Sequence, residues 1–345
     1  MEIKKEKKKL LTNIIFFLVV IIVLAIVVFS INDISQMIKL LRNANLWFIL
    51  FAVLLMLIHV CLTNLSMYII QNKLRNSVNF FTSITISNTE YLFNAITPFS
   101  SGGQPFQAYY YIKNGLSGDE AASILVANFT IYQFVLTLFS TTGLIIYYNR
   151  ISQAIQEYIY LIIIGYFFNT VILVGLILVS FVKSFKKLLK NTFKLFGKIR
   201  FLAKPMEKLQ ERTFSFVENF QAGVKYLFSR KRVFLGSSFL RLFDLFVVNA
   251  IPILIFLALG TKVEFSDYLF IIMMSAFAST FMMWVPTPGA SGGVEWAYTV
   301  LFVNVIATTS VVVTSMLVWR VITYYLGIIL GFISYLIIER RSKIT

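Results

Sequence analysis

Five charged side chains, Glu90, Arg241, Asp244, Glu295 and Arg320, fall inside hydrophobic runs of this chain. A charge at the centre of a lipid-embedded helix costs about 2.5–3.5 kcal/mol on insertion scales, so each must face protein or water and hold a partner or a ligand. Arg320 sits ten residues into the apolar run that begins at Ser310, beside Trp319 and ahead of Tyr324 and Tyr325. Arg241 and Asp244 are three residues apart, a spacing that places them on one helical face and lets them pair. Glu90 and Asn94 precede a break in their run, and Glu295 follows a break in another. Two chemistries compete. Arg320 or Arg241 holds an anionic headgroup while Glu90 and Glu295 balance the charge, or the same groups neutralise one another, for example Glu295 with Arg320.

The breaks themselves repeat. Thr97-Pro98-Phe99-Ser100-Ser101-Gly102-Gly103 and Thr287-Pro288-Gly289-Ala290-Ser291-Gly292-Gly293 agree at five of seven positions with an offset of 190 residues. Proline and paired glycines inside apolar helices cost several kcal/mol unless the freed backbone groups are used. In lipid such backbone survives only when buried in protein or lining a wet cavity. A helix restarting at Gly103 or Gly293 would aim N–H groups and the positive end of its dipole into that region, an arrangement suited to phosphate. Tight packing turns, with the glycines allowing close helix contact, are the plainer reading.

Apolar runs long enough to cross about 30 Å of hydrocarbon must position these groups. They lie at Leu10–Ile31, Leu46–Ile70, Ala121–Tyr148, Tyr158–Val182, Phe234–Leu259 and Ser310–Ile338. Two more runs, Phe80–Ile96 and Tyr268–Val285, stop at the motifs and resume as Gln104–Ile112 and Val294–Ile306, the pattern of re-entrant hairpins. The expected fold is therefore all-α and polytopic, with six full spans and two hairpins. Residues 1–150, with a hairpin at 80–112, form one unit. Residues 151–345, with a hairpin at 268–306, form a second unit of opposite orientation, an inverted-topology repeat.

Composition points the same way. Apolar residues make up 58% of the 345 positions and charged residues 13%, whereas soluble domains hold roughly half and a quarter. The excess of 31 Lys and Arg over 15 Asp and Glu lies between apolar runs, the pattern of cytoplasmic loops, and not on one face suited to nucleic acid. Both termini are expected in the cytoplasm, since Lys4, Lys5, Lys7, Lys8 and Lys9 lie at one end and Arg340, Arg341 and Lys343 at the other. Residues 183–232 hold fourteen Lys or Arg against three Glu, with Leu188, Leu189, Phe193, Phe196 and Phe201 interleaved. This is a basic amphipathic stretch for the cytoplasmic leaflet. His59 and Cys61 supply neither a metal site nor a catalytic pair, and Cys61 reads as a small core residue. No catalytic residue, metal or cofactor is expected. Tyr109, Tyr110 and Tyr111, with Trp296 and Tyr298, read as interfacial anchors.

The two motifs, read as T-P-F-S-S-G-G-Q-P-F-Q-A-Y from Thr97 and P-T-P-G-A-S-G-G-V-E from Pro286, with Arg320 following, resemble the transmembrane region of lysylphosphatidylglycerol synthase/flippases. Gln104 and Gln107 stand where that family usually has Glu and, three residues later, Arg. The resemblance covers nearly the whole chain. It implies a flippase-like fold moving an anionic, aminoacylated or polyprenyl-linked lipid between leaflets of the inner, cytoplasmic membrane. In the best-known relatives the lipid is an aminoacylated phosphatidylglycerol that protects against cationic peptides, and a soluble aminoacyl-transferase domain is attached. The expected partners are membrane lipids, with a separate soluble synthase as a further candidate. The expected pathway comprises Glu90, Asn94, Thr97, Pro98, Gly102, Gly103, Gln104, Gln107, Arg241, Asp244, Pro288, Gly292, Gly293, Glu295 and Arg320. An alternative is phosphatidylglycerol lysyltransferase, which would use lysyl-tRNA as its one nucleic-acid partner. A third is an ion-coupled carrier of small solutes.

Overall fold

The computed structural model describes residues 34–74, 78–154, 159–181, 228–280, 285–303 and 306–341, with short pieces between 190 and 225. The expected first span, Leu10–Ile31, the terminal lysines and most of the basic stretch 183–232 lie outside the described residues. The described residues are helical, with isolated bridges and no strand. A short helix α1 (Ile34–Arg42) leads into α2 (Leu46–Leu74), then α3 (Phe80–Ala95) and α4 (Gly103–Lys113), α5 (Gly118–Ala154) and α6 (Ile159–Phe181). The second half has α7 (Lys231–Asn249), α8 (Ile251–Ala258), α9 (Tyr268–Thr280), α10 (Gly293–Phe302), α11 (Thr309–Arg320) and α12 (Leu326–Arg341).

Among the described residues, five helical stretches are long and apolar enough to span a bilayer: Leu46–Lys73, Gly118–Gln153, Ile163–Ser180, Lys231–Ala258 and Thr309–Arg341. The chain is a multi-pass membrane protein of all-α architecture. Leu46, Trp47, Leu50, Phe51, Leu54 and Leu57 on α2 stay exposed, as do Phe167, Val171, Val174 and Leu178 on α6. Their three- and four-residue spacing makes apolar stripes of the kind that lipid covers. Polar groups turn the other way, so that Asn64, Gln71, Gln133, Asn169, Arg241 and Asp244 are buried. Cys61 is exposed and is not the core residue its composition suggested.

Direction along each helix follows from contacts at its ends. The backbone N–H of Asn45, at the start of α2, bonds the carbonyl of Ala258 at the end of α8, 2.9 Å away. At the other face Arg341, at the end of α12, lies over the ring of Phe81 at the start of α3, and Lys113 at the end of α4 pairs with Glu339 at 3.8 Å. The first hairpin therefore opens toward the C-terminal end of α12. Arg150, near the far end of α5, pairs with Asp267 at 2.8 Å and covers the Phe270 ring at 4.0 Å. Gly118 and Arg150 are separated by roughly 48 Å of helix at 1.5 Å per residue, so the second hairpin opens on the opposite face.

The two breaks meet. Pro98 and Pro288, 190 positions apart in sequence, face each other in antiparallel register. Both breaks use the same turn: Ser100 and Ala290 donate to the carbonyls of Thr97 and Thr287, and Ser101 and Ser291 donate to Pro98 and Pro288. Left-handed backbone falls at matching positions, with φ of 56° and 48° at Phe99 and Ser100 and 58° and 56° at Gly289 and Ala290. Three of those four residues carry a Cβ, and non-glycine residues in this region store strain that surrounding structure must hold in place.

Candidate functional site

A cavity of about 530 Å³ lies where the two breaks meet the middle of the long helices. Phe99, Ser100, Ser101 and Gln104 line it from the first break and Gly289 from the second. His59 and Thr63 come from α2, Glu90 and Asn94 from α3, Asn128 and Tyr132 from α5, and Arg241, Asp244 and Asn249 from α7. Arg320, Thr323 and Tyr324 close the remaining wall. Thr323 and Tyr324 lie in a π-helical turn at Val321–Tyr325 inside the final span, directly after Arg320 at the end of α11. Such turns arise where one extra residue is accommodated in an α-helix, often at functional sites. Here the Thr323 hydroxyl donates to the carbonyl of Trp319 at 2.8 Å.

One side of the cavity is organised by Asp244. Its Oδ1 accepts from Nδ1 of His59, and its Oδ2 accepts from the Thr63 hydroxyl at 3.4 Å. Arg241, one turn earlier on α7, approaches Oδ2 at 3.5 Å and donates to Asn128 at 2.8 Å and to Thr63 at 3.3 Å. The expected Arg241–Asp244 pair is thus present, but as one arm of a wider network. Nε of Arg241 is buried and has no hydrogen-bond partner.

The other side is built on Arg320. Its Nε donates to Glu295 Oε1 at 2.7 Å, its guanidinium lies 4.7 Å from the Tyr324 ring centroid, and its Nη2 is buried without a partner. Oε2 of Glu295 accepts from the N–H of Gly292 at 2.8 Å, capping the restarted helix α10. The neutralising pair of Glu295 with Arg320 is therefore real, yet it leaves one donor of Arg320 unused. Buried polar atoms are nearly always satisfied, so the orphaned guanidinium nitrogens of these two cavity-lining arginines are donor capacity that the protein itself does not use.

The N–H groups of Gly102 and Gly103 at the start of α4, and of Gly292 just ahead of α10, are taken by protein acceptors, whereas the sequence expectation aimed such groups at a ligand. Asn94 accepts from Gly103 N and Thr97 from Gly102 N, each at 2.8 Å. Asn94 on the preceding helix and Thr97 in the break itself therefore act as caps. The glycines serve close approach: a Cβ on Gly103 would meet Glu90 and Asn94, and one on Gly102 would meet Thr97 and the carbonyl of Phe93. Gln107 is buried behind Glu90, donating to it at 3.2 Å and to the Ser87 carbonyl at 3.1 Å. Gly293 packs on Val285, where a Cβ would collide. Of the residues singled out from sequence, Glu90, Asn94, Gln104, Arg241, Asp244 and Arg320 line the cavity. Glu295, Gln107, Thr97, Pro98, Pro288, Gly102, Gly103, Gly292 and Gly293 support it from behind or shape its turns.

Sequence reasoning missed His59, Thr63, Asn128, Tyr132, Asn249 and Tyr324 at this site. A usable signal existed for two of them, because His59 and Asn249 are separated by the same offset of 190 and both face the cavity. The tyrosine clusters are corrected as well. Tyr110, Tyr111 and Tyr298 are fully buried, and only Tyr109 and Trp296 are exposed as interfacial anchors would be. Tyr110 donates to Glu339 at 3.1 Å, which ties the first hairpin to α12.

Against known proteins, the model described as "Lysylphosphatidylglycerol synthase TM region" matches residues 14–331. A UPF0104 membrane protein of Archaeoglobus fulgidus is 24% identical over 326 residues, covering 89% of this chain and 92% of the relative. The match runs through both breaks, the cavity they enclose and nearly every described span, and on that extent this chain belongs to the lysylphosphatidylglycerol synthase transmembrane-region family.

Proposed function

We propose that this chain carries a phosphate-bearing lipid headgroup between leaflets, with the cavity as the point where the headgroup crosses. The observation that carries this reading is the pair of arginines, Arg241 and Arg320, that line one partly open cavity between the two breaks, each with a guanidinium nitrogen, Nε and Nη2, that no protein acceptor meets. A phosphodiester offers several strong acceptors and one negative charge, which matches those donors in kind. The acyl chains would stay in lipid while the headgroup passes, which needs a groove and not a closed carrier.

Residues 1–150 and 151–345 act in this reading as an inverted-topology repeat, with the antiparallel meeting of Pro98 and Pro288 on its two-fold axis. Rocking of one hairpin against the other would expose the cavity first to one face and then to the other. In this reading the face holding Arg340 and Arg341 lies in the cytoplasm, and the basic stretch 183–232 would gather anionic lipid on that side. The membrane assigned is the cytoplasmic one.

The test is leaflet accessibility of fluorescent phosphatidylglycerol, lysylphosphatidylglycerol and a polyprenyl phosphate in proteoliposomes. Exchange of one lipid by the native chain, lost in Arg320→Met and Arg241→Met, supports the reading and identifies the lipid. No exchange of any of them by folded protein overturns it, and solute uptake would then be measured on the same vesicles.

A further inference from the structure

The cavity contains one group that headgroup binding does not use. His59 is the single histidine of the chain, and it sits in the middle of α2 with both ring nitrogens engaged. Nδ1 meets Asp244, and Nε2 lies 3.2 Å from the Tyr91 hydroxyl. An ionised aspartate only accepts, so Nδ1 carries the hydrogen of this bond, and Nε2 of the neutral ring accepts from Tyr91. The tautomer is fixed, and Nε2 is the position where a proton can be added, with the tyrosine hydroxyl turning from donor to acceptor.

Charged and titratable groups from the neighbouring elements share the cavity with His59. Glu90 and Tyr91 come from α3, Tyr132 from α5, Arg241 and Asp244 from α7, and Arg320 and Tyr324 from the last span. Glu295 adds its charge through Arg320. With a neutral imidazole, Arg241 and Arg320 are the cations of this set, already paired with Asp244 and Glu295, and Glu90 lies beside them. A phosphodiester entering between the two arginines adds a negative charge that neither ion pair offsets. Uncompensated charge is most costly where water is scarce, and a proton on His59 would offset it.

We infer that the His59–Asp244 pair is a proton-binding site linked to the headgroup site, so that an anionic headgroup and a proton occupy the cavity together. This rests on the headgroup reading above. Linkage is reciprocal: if the headgroup favours the proton, the proton favours the headgroup by the same factor. A pH difference across the membrane would then bias the direction in which the lipid moves. The proton enters at Nε2, the imidazolium stays bonded to Asp244 through Nδ1, and release on the far side restores the neutral ring.

The full chain in phosphatidylcholine nanodiscs, with its single histidine labelled with ¹⁵N, reads the proton directly. Addition of phosphatidylglycerol at fixed pH should raise the ratio of imidazolium to neutral signal by about tenfold, within the usual range for linked sites. A ratio that does not respond overturns the inference, including the case in which Glu90 takes the proton instead. In proteoliposomes, an imposed gradient of about one pH unit should accelerate lipid exchange by the native chain, and exchange by His59→Gln should ignore the gradient. Native exchange that ignores the gradient overturns the proton link and leaves lipid translocation standing. An imidazole that responds to phosphatidylglycerol in a chain that exchanges no lipid removes translocation and retains the proton-linked headgroup site.

Discussion

At the scale of single residues, the site depends on charges that are paired but not exhausted. Removing one partner of a buried pair leaves an uncompensated charge, at a cost of about 3–5 kcal/mol. Glu295→Gln should therefore destabilise the protein by about that amount, read as thermal unfolding in detergent, because Arg320 loses its acceptor and Gly292 its cap. The double change Glu295→Gln with Arg320→Met removes both charges and should recover most of that stability. Lipid exchange in the double variant should still fall by at least about tenfold, since the orphaned donor is gone. Recovery of exchange together with stability would show that Arg320 serves packing alone. Glu295, Arg320, Arg241 and Asp244 could be picked out from sequence because charge is rare in apolar runs. Thr63, Asn128 and Tyr132 could not, because uncharged polar residues are common there and only the fold brings them to one wall.

At the scale of elements, the first hairpin packs most extensively against the last span, which belongs to the other half of the chain. A Cβ on Gly331 would lie 2.7 Å from the backbone N of Leu92 and 3.0 Å from the carbonyl of Asn88, and one on Gly327 would press on Tyr91. Backbone atoms cannot yield as a side chain can, so Gly331→Leu should separate α3 from α12 at a cost of about 1–3 kcal/mol. Gly236, on α7, has open space where a Cβ would go, and Gly236→Ala should leave stability equal or raise it by up to about 1 kcal/mol. Equal losses at the two positions, measured by unfolding in detergent, would contradict this packing. The spacing of Gly327 and Gly331 is the small-xxx-small pattern of close helix contacts, so this interface was visible in sequence once a partner was sought. The π-helical turn after Arg320 was not, because its apolar sequence differs in no way from ordinary helix.

At the scale of the whole molecule, the breaks approach at one pair of equivalent residues. Residues opposed in an antiparallel bridge have Cα atoms about 4.5–5.5 Å apart, inside the range a disulfide requires. Pro98→Cys with Pro288→Cys, in a Cys61→Ala background, should cross-link on oxidation. The locked protein should stop exchanging lipid and regain exchange on reduction. Failure to cross-link would mean that the breaks do not meet in the membrane; exchange by the locked protein would mean that the hairpins need not part. The charge contacts at the two faces, Arg150 with Asp267 and Lys113 with Glu339, belong to the same scale, since each ties a hairpin to a long helix of the other half.

Hydrophobic period, run length and the placement of lysine and arginine determined the class of this protein, its spans and the positions of its breaks. These are local properties, set by the need to satisfy every backbone group within the helix when no water is present. The doubled motif also announced that the two breaks are related. Tertiary structure decided which polar atoms remain unsatisfied. It turned the N–H groups of Gly102, Gly103 and Gly292 toward Thr97, Asn94 and Glu295, and it brought His59 to Asp244 across 185 residues of chain. Satisfaction of a buried donor depends on what approaches it from other helices, and the spacing of residues along one helix carries no record of that approach.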